Sequence, residues 1–459
     1  MITENSSVQM SEDREKGQPW SYPKYRVWFP WRWFERGRIL WIALFLLGLF
    51  SILYFISWLS KDHELLAKLA KLDAFGRHSA ALQSTKKPDN FPIVAVVFYG
   101  RRQFVDILDC YLQRNLARNG GYLDEVVFAV HTHNEDDIDW LDGVVERTAG
   151  YRKIDVRSSN YGQIWEDHLS DPATLYIKLD DDITYIHDEA IPHLVQTLQA
   201  HPESYAITAN AINSVSGSWI HYHRNAILPY LPEPFSPHLS EEQNGSSWRA
   251  SELPNYPEEE YPPSDVFNLE LDAPRVDHRW LPLRRNGKNI HKTPINSAAQ
   301  DDFGPGQKRW SIAAQQHYSF LANLEDDRVD RYYFGDESSG ELWNLQNKRY
   351  SINFVAIWGA TVAASNVTAD DELSIAVTNP TNMGRPFFID SRAIVSHYAY
   401  GPQRDQLLKT DLLDRYRALA NENACRVGNQ KTAISFDSLK PREKEDKPHP
   451  KEDLRQPQR

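Results

Sequence analysis

The chain has 459 residues and a net charge of −12, enough for one large domain or two ordinary ones with tails. That acidic balance excludes the strongly basic domain expected of a nucleic-acid binder. Two cysteines, Cys110 and Cys425, exclude a disulfide scaffold or a zinc cluster; they could pair with each other, but their separation in sequence says nothing about proximity.

In chain order, residues 1–38 read as a cytosolic N-terminal tail, polar and disordered over 1–23. Ile39–Leu59 is a 21-residue run without a charge, which would span ~31 Å as a helix and match a bilayer core. Lys24, Arg26, Arg32, Arg36 and Arg38 precede it, while Lys61 and Asp62 follow. The positive-inside rule therefore predicts a signal anchor with the rest of the chain across the membrane. Residues 60–90 read as a stem or linker, with Leu65, Leu66, Leu69 and Leu72 at helical spacing; a helix packed on the domain is the alternative. Two sequons, at Asn244 and Asn366, fall on the expected lumenal side, and Asn5 on the cytosolic side.

From Phe91 the pattern alternates. Strands are predicted at Ile93–Tyr99, Glu125–His131, Lys153–Arg157, Leu175–Leu179 and Tyr205–Ala211. Helices are predicted at Val105–Leu116, Asp136–Thr148, Tyr161–Leu169 and Asp188–Ala200. This β-α-β order implies an α/β fold with a mostly parallel sheet flanked by helices. No glycine-rich phosphate loop follows the first strand, where Gly100-Arg101-Arg102 stands instead. Residues 231–300 are proline-rich and read as an extended insertion of the kind that covers an active site. Beyond it come a helix at Trp310–Leu324, a strand at Tyr350–Thr361 and a helix at Gln403–Asn421. Residues 426–459 read as a disordered tail.

The sharpest signal is Tyr176-Ile-Lys-Leu-Asp-Asp-Asp-Ile, a buried strand running into three adjacent carboxylates. Three like charges resist burial together, and a divalent cation is the commonest reason for a fold to place them at a strand end. Alternation along the strand predicts that Asp180 and Asp182 face one way and Asp181 the other. An exposed acidic turn is the plain alternative.

With the membrane anchor and the α/β order, this segment resembles that of GT-A fold glycosyltransferases, closest to the family 2-like fungal and bacterial type. Further blocks of the resemblance are Phe98-Tyr-Gly-Arg-Arg, Ser218-Trp-Ile-His-Tyr and His397-Tyr-Ala-Tyr-Gly-Pro-Gln-Arg404. It spans about residues 91–425, which it implies are a lumenal GT-A catalytic domain with a Rossmann-like sheet. It implies a nucleotide-sugar donor, Mn²⁺ or Mg²⁺ on Asp180 and Asp182, and His397 completing the metal shell. A hydrogen-bonded core histidine is the other reading of His397. Donor contacts are expected from Tyr99 stacking on the base, from Arg101 and Arg102 at phosphates, from Asn160 and Gly162, and from Asp180 and Asp181. Each of these is also readable as a solvated loop residue. Where the family often carries an Asp for the base, His131-Thr-His stands instead. Asp371 is the expected general base, with Asp302 its rival; either is also readable as a helix-capping carboxylate. Trp219, Trp280 and Trp358 are candidate sugar platforms.

The expected function is thus sugar transfer, of the inverting kind that the resemblance implies, to a hydroxyl on a glycan, glycoprotein or glycolipid, by a single-pass type II protein of the Golgi or another secretory-pathway membrane. The alternatives are a non-catalytic carbohydrate or Ca²⁺-binding membrane protein retaining the fold, and a metal-dependent phosphohydrolase.

Overall fold

The computed structural model describes residues 47, 48, 51, 86–233, 247–257, 278–299, 301–335 and 341–432, with backbone alone at 285–288. The chain divides into two compact units, Met1–Ala70 and Lys71–Arg459. In the first, Leu47, Gly48 and Ser51 are helical, and the Ser51 hydroxyl donates to Leu47 O at 2.8 Å. The rest of the expected Ile39–Leu59 span, the 1–38 tail, the stem before 86 and the sequons at Asn5 and Asn244 lie outside the described residues. Among the described residues no helix is long and apolar enough to cross a membrane.

The second unit is an α/β fold around one curled, nine-stranded sheet, mostly parallel and flanked by helices. Four parallel strands form its first half: β1 (Ile93–Tyr99), β2 (Glu125–Val130), β3 (Tyr151–Asp155) and β4 (Leu175–Asp180), in the order β3-β2-β1-β4. Their central strands are buried on both faces, which is why they read as unbroken apolar runs. The crossovers are helices α1 (Arg102–Asn115), α2 (Glu135–Arg147) and α3 (Tyr161–His168).

Beyond β4 the sheet becomes mixed. β5 (Ile183–Ile186) follows the aspartates and crosses to the far edge; α4 (Ala190–Ala200) then leads to β6 (Ala206–Ile212), and α5 (Val215–His223) follows. The two-stranded pair β7 (Tyr230–Pro232) and β8 (Trp280–Pro282) is separate, and α6 (Trp310–Glu325) packs behind it. β9 (Leu342–Asn344), β10 (Phe354–Trp358) and β11 (Phe387–His397) complete the sheet, with β10 inserted antiparallel between β4 and β6. β11 lies between β6 and β5 and also pairs with β9.

Three expectations change. The helix expected over Gln403–Asn421 is two, α7 (Gly401–Leu407) and α8 (Leu412–Asn423). The break is made by Thr410, whose hydroxyl and N–H both return to Leu407 O, and by Asp411 N–H donating to His278 O at 3.1 Å. The described parts of the 231–300 insertion join the main core instead of forming an extended cover. Trp280 packs edge-on to Trp310, 5.7 Å between centroids, while Trp248 and Arg249 both bond Glu422 of α8. The tail expected from 426 does not leave the fold there. Asn421 and Lys431 exchange two hydrogen bonds, and the Lys431 ammonium sits 2.8 Å from the buried Asp109 carboxylate. Cys110 of α1 and Cys425 form a disulfide, fixing this end of the chain to the first helix.

Candidate functional site

β4 ends at Asp180, and the chain turns through Asp181 and Asp182 before β5. The β5–β11 pairing sets His397 opposite Ile183, the residue after Asp182, and Tyr398 N–H donates to Asp182 O at 2.8 Å. This register brings the last residue of β11 beside the aspartate turn. Ligand atoms of Asp180, Asp182 and His397 all lie within 4.8 Å of one another, with Asp182 and His397 buried.

Asp182 is held through one carboxylate oxygen. Its Oδ2 accepts from Arg101 at 3.0 Å, while Oδ1 is buried without a hydrogen-bond partner, 3.5 Å from His397 Nε2. The opposite ring nitrogen, His397 Nδ1, lies 3.4 Å from Asn213 O, so an Nδ1–H donated there leaves the Nε2 lone pair facing Asp182. A second strand contact fixes Asp180. The β4–β10 register places Asn353 beside it, and its carboxylate accepts from Asn353 Nδ2 and from Lys178 Nζ, each at 2.5 Å. Burial pushes the Asp180 carboxyl up, but Lys178, His397 and Asn353 together hold the group below its usual value. Two carboxylates and an imidazole, one carboxylate oxygen orphaned in a buried position, fit a divalent metal ion in ligand type.

Asp181 turns the other way, as alternation suggests, although the separation is made by a turn and not by a continuing strand. It accepts from Gly100 N–H at 3.0 Å and from the Arg101 guanidinium by two nitrogens. Burial raises its carboxyl beyond what Arg101 offsets. A donor contact through Asp181 therefore has no free face; its oxygens are spent on the β1 loop.

The expected donor contacts are largely redistributed. Tyr99 is fully buried, with its hydroxyl donating to Asp137 O at 2.7 Å and its ring edge-on to Phe128, so it has no face for a base. The odd positions of β1 face α1 and α2; Phe98, an even one, carries the site face, with Lys178 4.8 Å over its ring. Arg101 is tied to Asp181 and Asp182 and lies 5.2 Å over Phe104, bracing the carboxylates in place of an open phosphate contact. Arg102 is exposed and stacks over Trp140 at 5.4 Å. Asn160 caps α3 in a reciprocal box with Gln163. Gly162 lets α3 press against the 367–368 backbone, where a Cβ would collide with Val367 O. Tyr161, between them, is half-exposed and stacks on Phe98 at 6.0 Å and on His131 at 5.3 Å.

Asp371 opens a helical segment, Asp371–Met383, that begins with an α turn and passes through a π turn. Its Oδ2 accepts from Trp165 Nε1 at 3.0 Å. Burial raises its carboxyl, with Lys178 and the Trp165 bond pulling back only in part. Asp302 is also raised by burial, with Arg349 opposing. Arg349 joins the two regions: it bonds Asp370 and Glu372 and lies 5.6 Å over Phe303. Among the tryptophans, Trp280 is core, and Trp358 packs on Phe91 at the start of β4, the end of that strand opposite the aspartates. Trp219 lies against His223 at 4.3 Å, the rings tilted by 54°.

Lys178, Asn353, Glu372, Arg349 and Arg404 were given no role from sequence. Arg404 faces Arg101, Asp182 and Asp181, and burial with the Arg101 charge lowers its pKa. Lys178 could have been found by strand alternation from Asp180, and Glu372 by adjacency to Asp371. Asn353 and Arg349 carry no motif and depend on the antiparallel insertion of β10.

No protein-family model matches this chain, and no curated protein does either. Among solved structures, the chain is similar to the crystal structure of a 4-diphosphocytidyl-2C-methyl-D-erythritol synthase from Anaerococcus prevotii DSM 20548, at 16% identity and a TM-score of 0.21. That match covers 28% of this chain and spans 56% of the other's length, too slight a likeness to carry functional argument.

Proposed function

We propose that this protein is a metal-dependent glycosyltransferase of GT-A type, moving a sugar from a nucleotide-sugar donor to an acceptor hydroxyl with inversion. The observation that carries the reading is the convergence of Asp180, Asp182 and His397, with Asp182 Oδ1 buried and unpartnered beside His397 Nε2. When bound there, Mn²⁺ or Mg²⁺ supplies Lewis-acid neutralisation of charge on a departing nucleoside diphosphate. Asp180, Asp182 and His397 would hold the ion. Lys178 and Asn353 orient Asp180, and Arg101 orients Asp182.

Asp371 is assigned as the general base. It takes the acceptor O–H proton while the acceptor oxygen bonds to the anomeric carbon and the carbon–oxygen bond to the diphosphate breaks. A raised carboxyl suits that role, because a base must have appreciable proton affinity. Asp302, also raised by burial, is the rival for that role. In this reading the domain stands in the secretory pathway, anchored through Ile39–Leu59. The Cys110–Cys425 pairing supports an oxidising compartment, and the exposed sequon residue Asn366 supports the same side.

The test is nucleotide-sugar hydrolysis by the full chain with and without Mn²⁺. Turnover should require the metal and be lost in Asp182→Ala. Absence of any metal-dependent nucleotide binding overturns the enzyme reading. Sugar or Ca²⁺ binding without turnover would favour a non-catalytic protein on the same fold.

A further inference from the structure

Away from the acidic site, three arginines meet around one hollow. α1 and α2 run back along the sheet, so their C-termini lie where the parallel strands begin. Leu123 N–H donates to Asn115 O at 2.9 Å, and Val126 N–H to Gly150 O at 2.8 Å. Arg118 follows α1, Arg147 closes α2 and Arg426 follows Cys425. With Gln113, Asn119 and Thr148 they line a cavity of about 220 Å³ that no carboxylate lines.

Three guanidiniums drawn together from distant parts of the chain repel one another. Among the described residues none of the three has a salt bridge, although acids pair with neighbouring basic residues such as Lys153 and Lys431. Helix ends offset part of the charge, and Arg118 Nη1 donates to Ala149 O at 3.1 Å. A helix C-terminus carries only about half a negative unit, so the ends of α1 and α2 together offset about one of three full charges. The third arginine is also held there covalently, because its neighbour Cys425 is joined to Cys110 of α1. The arrangement is a cavity whose positive charge is only partly offset.

We infer that this cavity is an oxyanion site, taking a phosphoryl or sulfuryl group whose oxygens the guanidinium forks bind in pairs. It stands at the end of the sheet where the chain enters β1, near Lys87, which pairs with Asp124 at 3.1 Å. That placement admits two sources for the same chemistry: a lipid phosphate headgroup, or a soluble phosphate or sulfate ester. Neither is the donor diphosphate, which belongs to the opposite strand ends.

The experiment uses the full chain in EDTA, so that the acidic site holds no metal. Inorganic phosphate and sulfate are titrated against chloride at matched ionic strength, reading melting temperature and binding heat. A saturable response to phosphate or sulfate is expected, weakened about tenfold or more by Arg147→Gln and by Arg426→Gln, with Arg147→Lys between wild type and Gln. All three arginines are exposed, and the variants' melting temperatures in chloride report whether the fold is intact. A second arm floats the chain on phosphatidylcholine vesicles with and without phosphatidic acid. Arginine-dependent flotation identifies the headgroup; a response to the free ions alone identifies the soluble ester. Responses equal to chloride with no arginine-dependent flotation, or unchanged in the Gln variants, overturn the assignment.

Discussion

The two halves of the sheet are held by different forces. Under β3-β2-β1-β4 the core is aliphatic and aromatic, with Ile93, Ala95, Val97, Ile177 and Leu179 packed against α1 and its neighbours. Under β6 and β11 the core is threaded with polar side chains. Asn210 donates to Tyr332 O and Ser391 O and meets His221; Asn213 donates to Tyr398 O and Gln403; His317 lies between Tyr416 Oη and Tyr398 O. Apolar packing is non-directional and tolerates exchange of similar volumes, whereas a buried hydrogen-bond network fixes positions and is costly when half-satisfied. The acidic site lies on the seam. Its aspartates are delivered by the first kind of core and its histidine by the second.

The largest expected effect tests whether the seam is catalytic at all. Asp371→Asn should lower turnover by about 10²–10⁴-fold while leaving the fold intact, measured as kcat for nucleotide-sugar transfer. Its pH dependence has a defined sign. The folded carboxyl is raised by burial, so stability from its protonated form is present at low pH and lost as pH rises through the folded pKa. Wild-type activity should rise with pH over that same window, above the usual aspartate range, and Asp371→Asn should gain stability relative to wild type across it.

Next, Cys110→Ser should cost about 2–5 kcal/mol, because the bridge joins the first helix of the aliphatic half to the segment that follows α8. Denaturant unfolding of oxidised and mutant chains measures it; a loss under 1 kcal/mol would sever the supposed link between the halves. Asn213→Ala should cost about 2–3 kcal/mol. It removes three buried hydrogen bonds, to Tyr398 O, Gln403 and Gln316, and leaves alanine at φ 62°. Because Asn213 O also meets His397, Mn²⁺ affinity should fall with stability. The smallest effect is the control: Ile177→Val, in the aliphatic half, should cost about 1 kcal/mol and leave metal affinity unchanged.

The same contrast explains what could be read from sequence. Strands buried on both faces and joined by short helices announce themselves, and the elements from Ile93 to Asp180 follow the predicted order to within a few residues. The aspartate turn was legible for the same reason, as an abrupt end to an apolar run. Which face of β1 meets the site was not, since Phe98 and Tyr99 look alike as aromatics until the helices take the odd positions. Nor was the insertion of β10 between β4 and β6, on which Asn353 depends, because antiparallel pairing between remote segments leaves no local period. Asn160 and Gly162 look like ligand-binding residues, yet a helix cap and a close backbone approach demand the same residue types.

The pairing of β11 with β5 has a consequence for synthesis. β5 is made directly after the aspartates, but among the described residues its one partner in the sheet is β11, more than 200 residues later in the chain. Until then the acidic turn ends in an unpaired strand and lacks its histidine. A chain that stops before β11 therefore exposes an unpaired strand edge and leaves Asp180 and Asp182 without His397.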